Sequence, residues 1–194
     1  MISIYHQKIN NIWYAAAIEN NEAFATAFSP DNEEEVLRHL LKNLPYNVPF
    51  QVTEKPTQLL AELLKTLKAI FDGKDVLQSS FKTNMDHLPN YTRRVLSCTS
   101  LIPVGYLTTY GAIAKVAGGS PRSVGRAEAS NPFPLLIPCH RVVRSNFSIG
   151  GYGLGEKVKL EILQREDRGY EETTKLEIKD KTLPLFPIKF LRKN

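Results

Sequence analysis

Cys139 stands in the run Pro138-Cys139-His140-Arg141-Val142-Val143, directly after the apolar stretch Phe133-Pro134-Leu135-Leu136-Ile137. Sulfur attacks carbon or binds metal as the thiolate, and neighbouring cations lower a cysteine's pKa. With His140 and Arg141 beside it, this thiol reads as one that can be made reactive, and Pro138 fixes the backbone just before it. Further on, Glu166 continues the four-residue stripe Leu154, Val158, Ile162 of a helix starting near Leu154. A carboxylate on that stripe faces inward, and a buried carboxylate needs a partner. His140 is the candidate of the right type. A carboxylate that orients an imidazole, which in turn activates a thiol, is triad logic. The alternative is a core histidine and a helix end that faces solvent. A zinc site is poorly served, because Cys98, His6, His39 and His87 are scattered and no C-x-x-C pair exists. Cys98 itself, in an apolar helical stretch, reads as a buried small hydrophobe.

Between the thiol and that helix lies Asn146 to Gly155, with Gly150, Gly151, Gly153 and Gly155 around Tyr152. Such a loop lets backbone approach a planar ligand closely. Upstream, Tyr110 to Ala117 reads as a short helix, Gly118-Gly119 as a turn, and Ser120-Pro121 as an N-cap followed by proline at the first helical position. The second helix runs from Arg122 to about Ala129. Together they make a helix-turn-helix, a pattern that also occurs in helical hairpins without DNA. Arg122 and Arg126 share a face, and Ser123, Gly125, Ala127 and Ala129 are small enough for a surface to come near. Arg122 sits where the helix dipole disfavours a cation. It is either a solvated arginine or a side chain held out for phosphates or the base stack.

The elements that must position these groups are legible as a class. The chain has 194 residues, 42% hydrophobic, with 25 Lys and Arg against 20 Asp and Glu, a net charge of +5. That supports a packed core and permits, without requiring, a polyanionic partner. Two cysteines allow no disulfide framework. The first residues are too polar for a signal peptide, and no stretch is long and apolar enough to cross a bilayer, so a soluble cytoplasmic protein is expected. Residues 2–28 read as two or three meandering strands. Ser29-Pro30-Asp31-Asn32 reads as a cap-like turn that opens a helix with an acidic first turn, and a second helix runs from about Pro56 to Phe71. The expected fold class is α+β: an N-terminal strand-helix domain over 1–88, a helical, winged helix-turn-helix-like domain over 89–170, and a tail over 171–194.

Tyr110-Gly111, Ser120-Pro121-Arg122-Ser123-Val124-Gly125, Asn131-Pro132, Ile137-Pro138-Cys139-His140-Arg141-Val142-Val143, Gly151-Tyr152 and Glu166 stand in that order. In this the chain resembles the methylated-DNA–protein-cysteine methyltransferases, the 6-O-alkylguanine-DNA alkyltransferases, over about residues 88–168. The resemblance implies single-turnover DNA repair. A 6-O-methylguanine (or 4-O-methylthymine) is rotated out of duplex DNA and its alkyl group passes irreversibly to Cys139. His140 would act as base through a water, Glu166 would orient it, and Asn131 would tie the site together. Tyr110 would assist the departing purine. Val142, Tyr152 and Gly153 would read the flipped base, and Arg122 would fill the gap in the stack, with Ser123, Gly125, Arg126 and Ala127 along the duplex. No cofactor and no metal are implied, and a monomer is expected, in the nucleus if the source is eukaryotic. Glu128 and Arg126 depart from the family's usual residues, and a carboxylate at 128 is expected to repel phosphate. Two other functions use the same residues: a damage-binding relative without transfer, against which Cys139 argues, and a helix-turn-helix regulator with a thiol switch.

Overall fold

The computed structural model describes residues 1–76 and 81–192. The chain divides into two compact units, one of Met1–Ile70, Val76–Leu88 and Pro132–Leu136, the other of Phe71–Asp75, Pro89–Asn131 and Ile137–Asn194.

The first unit is built on a meander of β1 (Ile2–Ile9), β2 (Ile12–Glu19) and β3 (Glu22–Ser29), joined by the two-residue turns Asn10-Asn11 and Asn20-Asn21. All four asparagines have positive φ. Two-residue hairpins whose twist matches the strands demand this, and asparagine tolerates it. A short β4 (Phe50–Val52) joins β1 in parallel, giving the order β3-β2-β1-β4. Helix α1 (Glu33–Leu41) starts at Asn32, whose side chain accepts the Glu35 N–H at 2.9 Å, and its first turn carries Glu33, Glu34 and Glu35. Val36 and Leu40 drop from it onto Ile2, Ile4, Ala15, Ala17 and Phe24. Helix α2 (Gln58–Phe71) buries Leu60, Leu63, Leu64, Leu67 and Ile70, the 3.6-residue spacing of a single apolar face.

The second unit contains α3 (Asn90–Thr99), β5 (Tyr106–Thr109), α4 (Tyr110–Ala117), α5 (Pro121–Ala129), a one-turn 3-10 helix over Cys139–Arg141, β6 (Val142–Val143) and α6 (Glu156–Glu166). Helices α3, α4 and α5 close around Val95, Ile102, Ile113, Val124 and Ala127. The segment beyond residue 170 forms a hairpin, β7 (Thr174–Ile178) and β8 (Lys181–Pro187). Strand β8 pairs with β5 at Tyr106–Pro187 and Leu107–Phe186, and the sheet order is β6-β5-β8-β7. Leu183 and Leu185 are fully buried in the same core as Val95 and Ile113. No helix among the described residues is long and apolar enough to cross a membrane.

Because Leu183 is fully buried, Leu183→Ala should lower unfolding stability by about 2–5 kcal/mol, read from urea titration. A loss below about 0.5 kcal/mol would mean that the hairpin contributes little to this core.

Candidate functional site

The helix-turn-helix is held by side chains at its corners. Thr109 caps α4 by accepting the Ala112 N–H at 3.1 Å. Ser120 and Ser123 form a reciprocal capping box at the start of α5. The Tyr91 hydroxyl, from α3, lies 3.0 Å from the Gly118 carbonyl and 2.8 Å from Ser123 Oγ. Gly119, at φ +85, cannot be replaced cheaply, because a Cβ there would stand 2.5 Å from that hydroxyl. On the second helix Arg122 and Arg126 are exposed on one face, and open space surrounds the position of a Cβ at Gly125. Ser123 is committed to the cap. Ala127 is 3% exposed and belongs to the core, so its side chain cannot lie along a duplex. Glu128 corrects another expectation. It is buried with Val124 and Ala127, its Oε1 lies 2.5 Å from Thr99 Oγ1, and it faces the interior rather than phosphate. Burial pushes its carboxyl up to about 7, against the Thr99 hydrogen bond and Lys159.

Cys139 sits at the start of the 3-10 turn, 8% exposed. Its neighbours assemble as the spacing suggested, with one addition. Glu166 closes α6 almost wholly buried, its Oε1 3.0 Å from His140 Nε2. Arg141, also buried, grips the same carboxylate with two hydrogen bonds, Nε to Oε2 at 2.9 Å and Nη2 to Oε1 at 2.8 Å. Its remaining Nη1 reaches the Ile102 carbonyl at 2.5 Å. Burial pushes Glu166 up, but His140 and Arg141 outweigh it and hold the carboxyl down to about 2. Burial lowers the pKa of His140, which is therefore neutral near pH 7. An ionised Glu166 accepts Nε2–H, so Nδ1 carries the lone pair. That nitrogen is buried without a hydrogen-bond partner among the described residues.

The cation that was to lower the thiol's pKa is spent elsewhere, since Arg141 is paired to Glu166. Burial instead pushes Cys139 up to about 12, with Glu128 adding to it, while a hydrogen bond from Asn131 and the charge of Lys159 pull the other way. Asn131 also donates to the Ile137 carbonyl at 2.9 Å, bridging the segment before the thiol. Tyr110 is half-buried, its hydroxyl pushed up to about 12 by burial and then by Glu128 and Cys139. Its ring abuts Gly150, where a Cβ would sit 3.2 Å from ring and hydroxyl, so tyrosine and glycine loop are neighbours. The Tyr152 hydroxyl is buried and has no partner among the described residues, and Gly153 is exposed. Val142 is fully buried, and its carbonyl accepts from Lys159 Nζ at 2.7 Å.

Lys159, and the pairing of Arg141 to Glu166, are what the sequence reading passed over. Lys159 is wholly buried on α6, and its Nζ lies 3.4 Å from the Gly151 carbonyl and 5.8 Å from the centre of the Tyr110 ring. Burial lowers it to about 8 although Cys139 and Glu128 favour its charge. The signal was available, because 159, 162, 163 and 166 share a helical face.

The second unit thus joins a helix-turn-helix to a buried thiol with an attendant imidazole. The model of the family described as 6-O-methylguanine DNA methyltransferase, DNA binding domain, matches residues 90–168. A methylated-DNA–protein-cysteine methyltransferase of Saccharolobus islandicus is 51% identical over 105 residues, 54% of this chain and 68% of that protein. One of Methanothermobacter thermautotrophicus is 42% identical over 111 residues, 57% of this chain and 63% of its own length. The match to Pyrobaculum aerophilum spans 44% of that relative, so the first curated relatives are covered over less than two thirds of their length. The crystal structure of O6-methylguanine-DNA methyltransferase from Pyrococcus kodakaraensis superposes with a TM-score of 0.64 at 25% identity, over 86% of this chain and 99% of that one. The architecture is that α+β fold. The chain belongs to the methylated-DNA–protein-cysteine methyltransferase family.

The depressed Glu166 carboxyl stabilises the folded state fully above its unfolded value near 4.5 and loses that contribution as pH falls towards about 2. Acid titration should therefore remove on the order of 3 kcal/mol across that window, and Glu166→Gln should flatten the dependence. An unchanged acid limb in that variant would refute the pairing.

Proposed function

We propose that the chain repairs alkylated duplex DNA by moving the alkyl group of 6-O-methylguanine irreversibly onto Cys139 Sγ. The observation that carries this is the buried thiol preceding an imidazole whose Nε2 is committed to Glu166 and whose Nδ1 has no partner among the described residues. Membership of the family and the helix-turn-helix with Arg122 and Arg126 exposed support it.

The thiol proton passes through a bridging water to His140 Nδ1, and Glu166 steadies the imidazolium that forms. Sulfur attacks the methyl carbon in line, so a C–S bond forms while the C–O6 bond breaks. The departing electron pair goes to the guanine, which Tyr110 assists by donating a hydrogen bond or a proton; the single proton taken from sulfur ends on the base, directly or by replacing the one Tyr110 gave. Atoms balance as thiol plus 6-O-methylguanine giving thioether plus guanine. A thioether is not hydrolysed by any group at this site, so each molecule acts once. The base reaches the thiol by rotating out of the stack, at a cost of a few kcal/mol, and insertion of Arg122 offsets part of it. The Tyr152–Gly153 loop and the Val142 backbone read the everted base, and 4-O-methylthymine suits the same chemistry. The protein acts as a monomer, in the cytoplasm or the nucleus of a eukaryote.

A duplex carrying label on the methyl of 6-O-methylguanine should leave label on the peptide that holds Cys139, at no more than one equivalent, and none on Cys139→Ala. Arg122→Ala should slow transfer from duplex far more than from the free base. Binding without transfer would instead favour a damage sensor.

Since burial holds the thiol up to about 12, its thiolate is scarce at neutral pH. Alkylation of the DNA-free protein by iodoacetamide should rise about tenfold per pH unit from 7 to 9, without levelling off. A plateau below pH 8 would show a pre-formed thiolate.

A further inference from the structure

Resting on the reading above, we propose that a cationic groove between α3 and the β7–β8 turn is a second DNA contact, seating the phosphate backbone of the duplex that flanks the lesion. The groove encloses about 850 Å³. Arg93, Arg94, Lys179 and Lys181 line it, with Asp180 as its one carboxylate. It adjoins the helix-turn-helix corner: Arg94 Nε donates to the Ala117 carbonyl at 3.3 Å and Lys181 Nζ to the Val116 carbonyl at 3.0 Å, both at the end of α4. Arg94 also lies over the ring of Tyr91, whose hydroxyl holds the turn before Arg122. The positive surface is therefore continuous with the corner that carries α5.

Capping the negative end of α4 accounts for part of what Arg94 and Lys181 do. It does not account for Lys179. This residue occupies the two-residue hairpin turn at φ +56, and among the described residues five of the eight non-glycine residues with positive φ are asparagine. A lysine there is strained by about 1 kcal/mol. It is exposed and makes no hydrogen bond or ion pair among the described residues. Strain retained for a side chain with no internal role points to an external one. Lysine and arginine flanking an open groove match the charge of a sugar-phosphate backbone, which needs no base-specific shape.

Lys179→Asn tests this without risk to folding, because asparagine suits the turn better than lysine. Binding of a lesion duplex about two helical turns long is measured against salt for wild type, Lys179→Asn, Lys179→Arg and Arg94→Gln/Lys179→Asn, with transfer from the free alkylguanine base as a second readout. The expected result is weaker duplex binding by several-fold in Lys179→Asn, a salt slope shallower by about 1, a larger effect in the double variant, and recovery in Lys179→Arg. Free-base transfer should be unchanged. Wild-type affinity and slope in the double variant would overturn the groove while leaving the alkyl-transfer reading intact. Failure of the wild type itself to bind or repair duplex would overturn both. Loss of binding to an acidic peptide, with duplex binding intact, would reassign the groove to protein and defeat the proposal.

Discussion

A carboxylate removed from water has to be fully paired, and Glu166 is paired three times. His140 Nε2, Arg141 Nε and Arg141 Nη2 all converge on its two oxygens. An isolated buried carboxylate costs several kcal/mol, so the arrangement stands or falls as a unit. It also sets geometry. His140 and Arg141 lie in the same 3-10 turn as Cys139, and Arg141 reaches on to the Ile102 carbonyl ahead of β5. One ionised group thereby fixes the turn that presents the sulfur, the orientation of the imidazole and its tautomer. Replacing Arg141 with lysine would keep the charge but lose the fork that grips both oxygens.

This clamp explains why the thiol is not activated in the way its neighbours suggested. Arg141 stands two residues from Cys139, yet its charge is consumed by Glu166. Burial dominates the ionisation of the sulfur, and Asn131 and Lys159 oppose it only in part. A neutral thiol at rest is protected from small electrophiles and oxidants, which select thiolates. Under the proposed transfer, deprotonation belongs to the reaction, with His140 as the acceptor. A thiolate formed in a site closed to water is poorly solvated and correspondingly reactive towards an alkyl carbon.

Local features of the chain were legible, and shared ones were not. The meander follows from alternation and from paired asparagines at the turns, and the starts of α1 and α5 follow from Asn32 and Ser120, because capping is written within four residues. That Cys139 and His140 share one turn and that the distant Glu166 pairs with His140 was readable from a motif and one helical stripe. Arg141 as a second partner of Glu166 was not, since nothing in spacing reveals how a carboxylate divides its lone pairs. The hairpin β7–β8 was hidden by Pro184 and Pro187, which argue against a strand. The strand tolerates them because β8 changes partner along its length, pairing with β7 through Leu185 and with β5 at Phe186 and Pro187. Glu128 was misplaced for a different reason. Position 128 shares its helical face with Val124 and Ala127, and the charge of the residue was given more weight than that periodicity.

Once inside, Glu128 poses its own question of bookkeeping. Thr99 Oγ1 lies 2.5 Å from Glu128 Oε1 and 3.1 Å from the Val95 carbonyl, but a hydroxyl has a single proton to give. If it serves Val95, the short approach to Glu128 needs a proton on the carboxyl, which then donates to the threonine. If it serves an ionised Glu128, the Val95 carbonyl keeps only its helical partner. A carboxyl raised to about 7 lies at the balance between these two arrangements near neutrality. The ionised form disfavours both a thiolate at Cys139 and a phenolate at Tyr110. The neutral form removes that opposition. This buried acid therefore acts on Cys139 and Tyr110 through charge alone, from the helix that also carries Arg122.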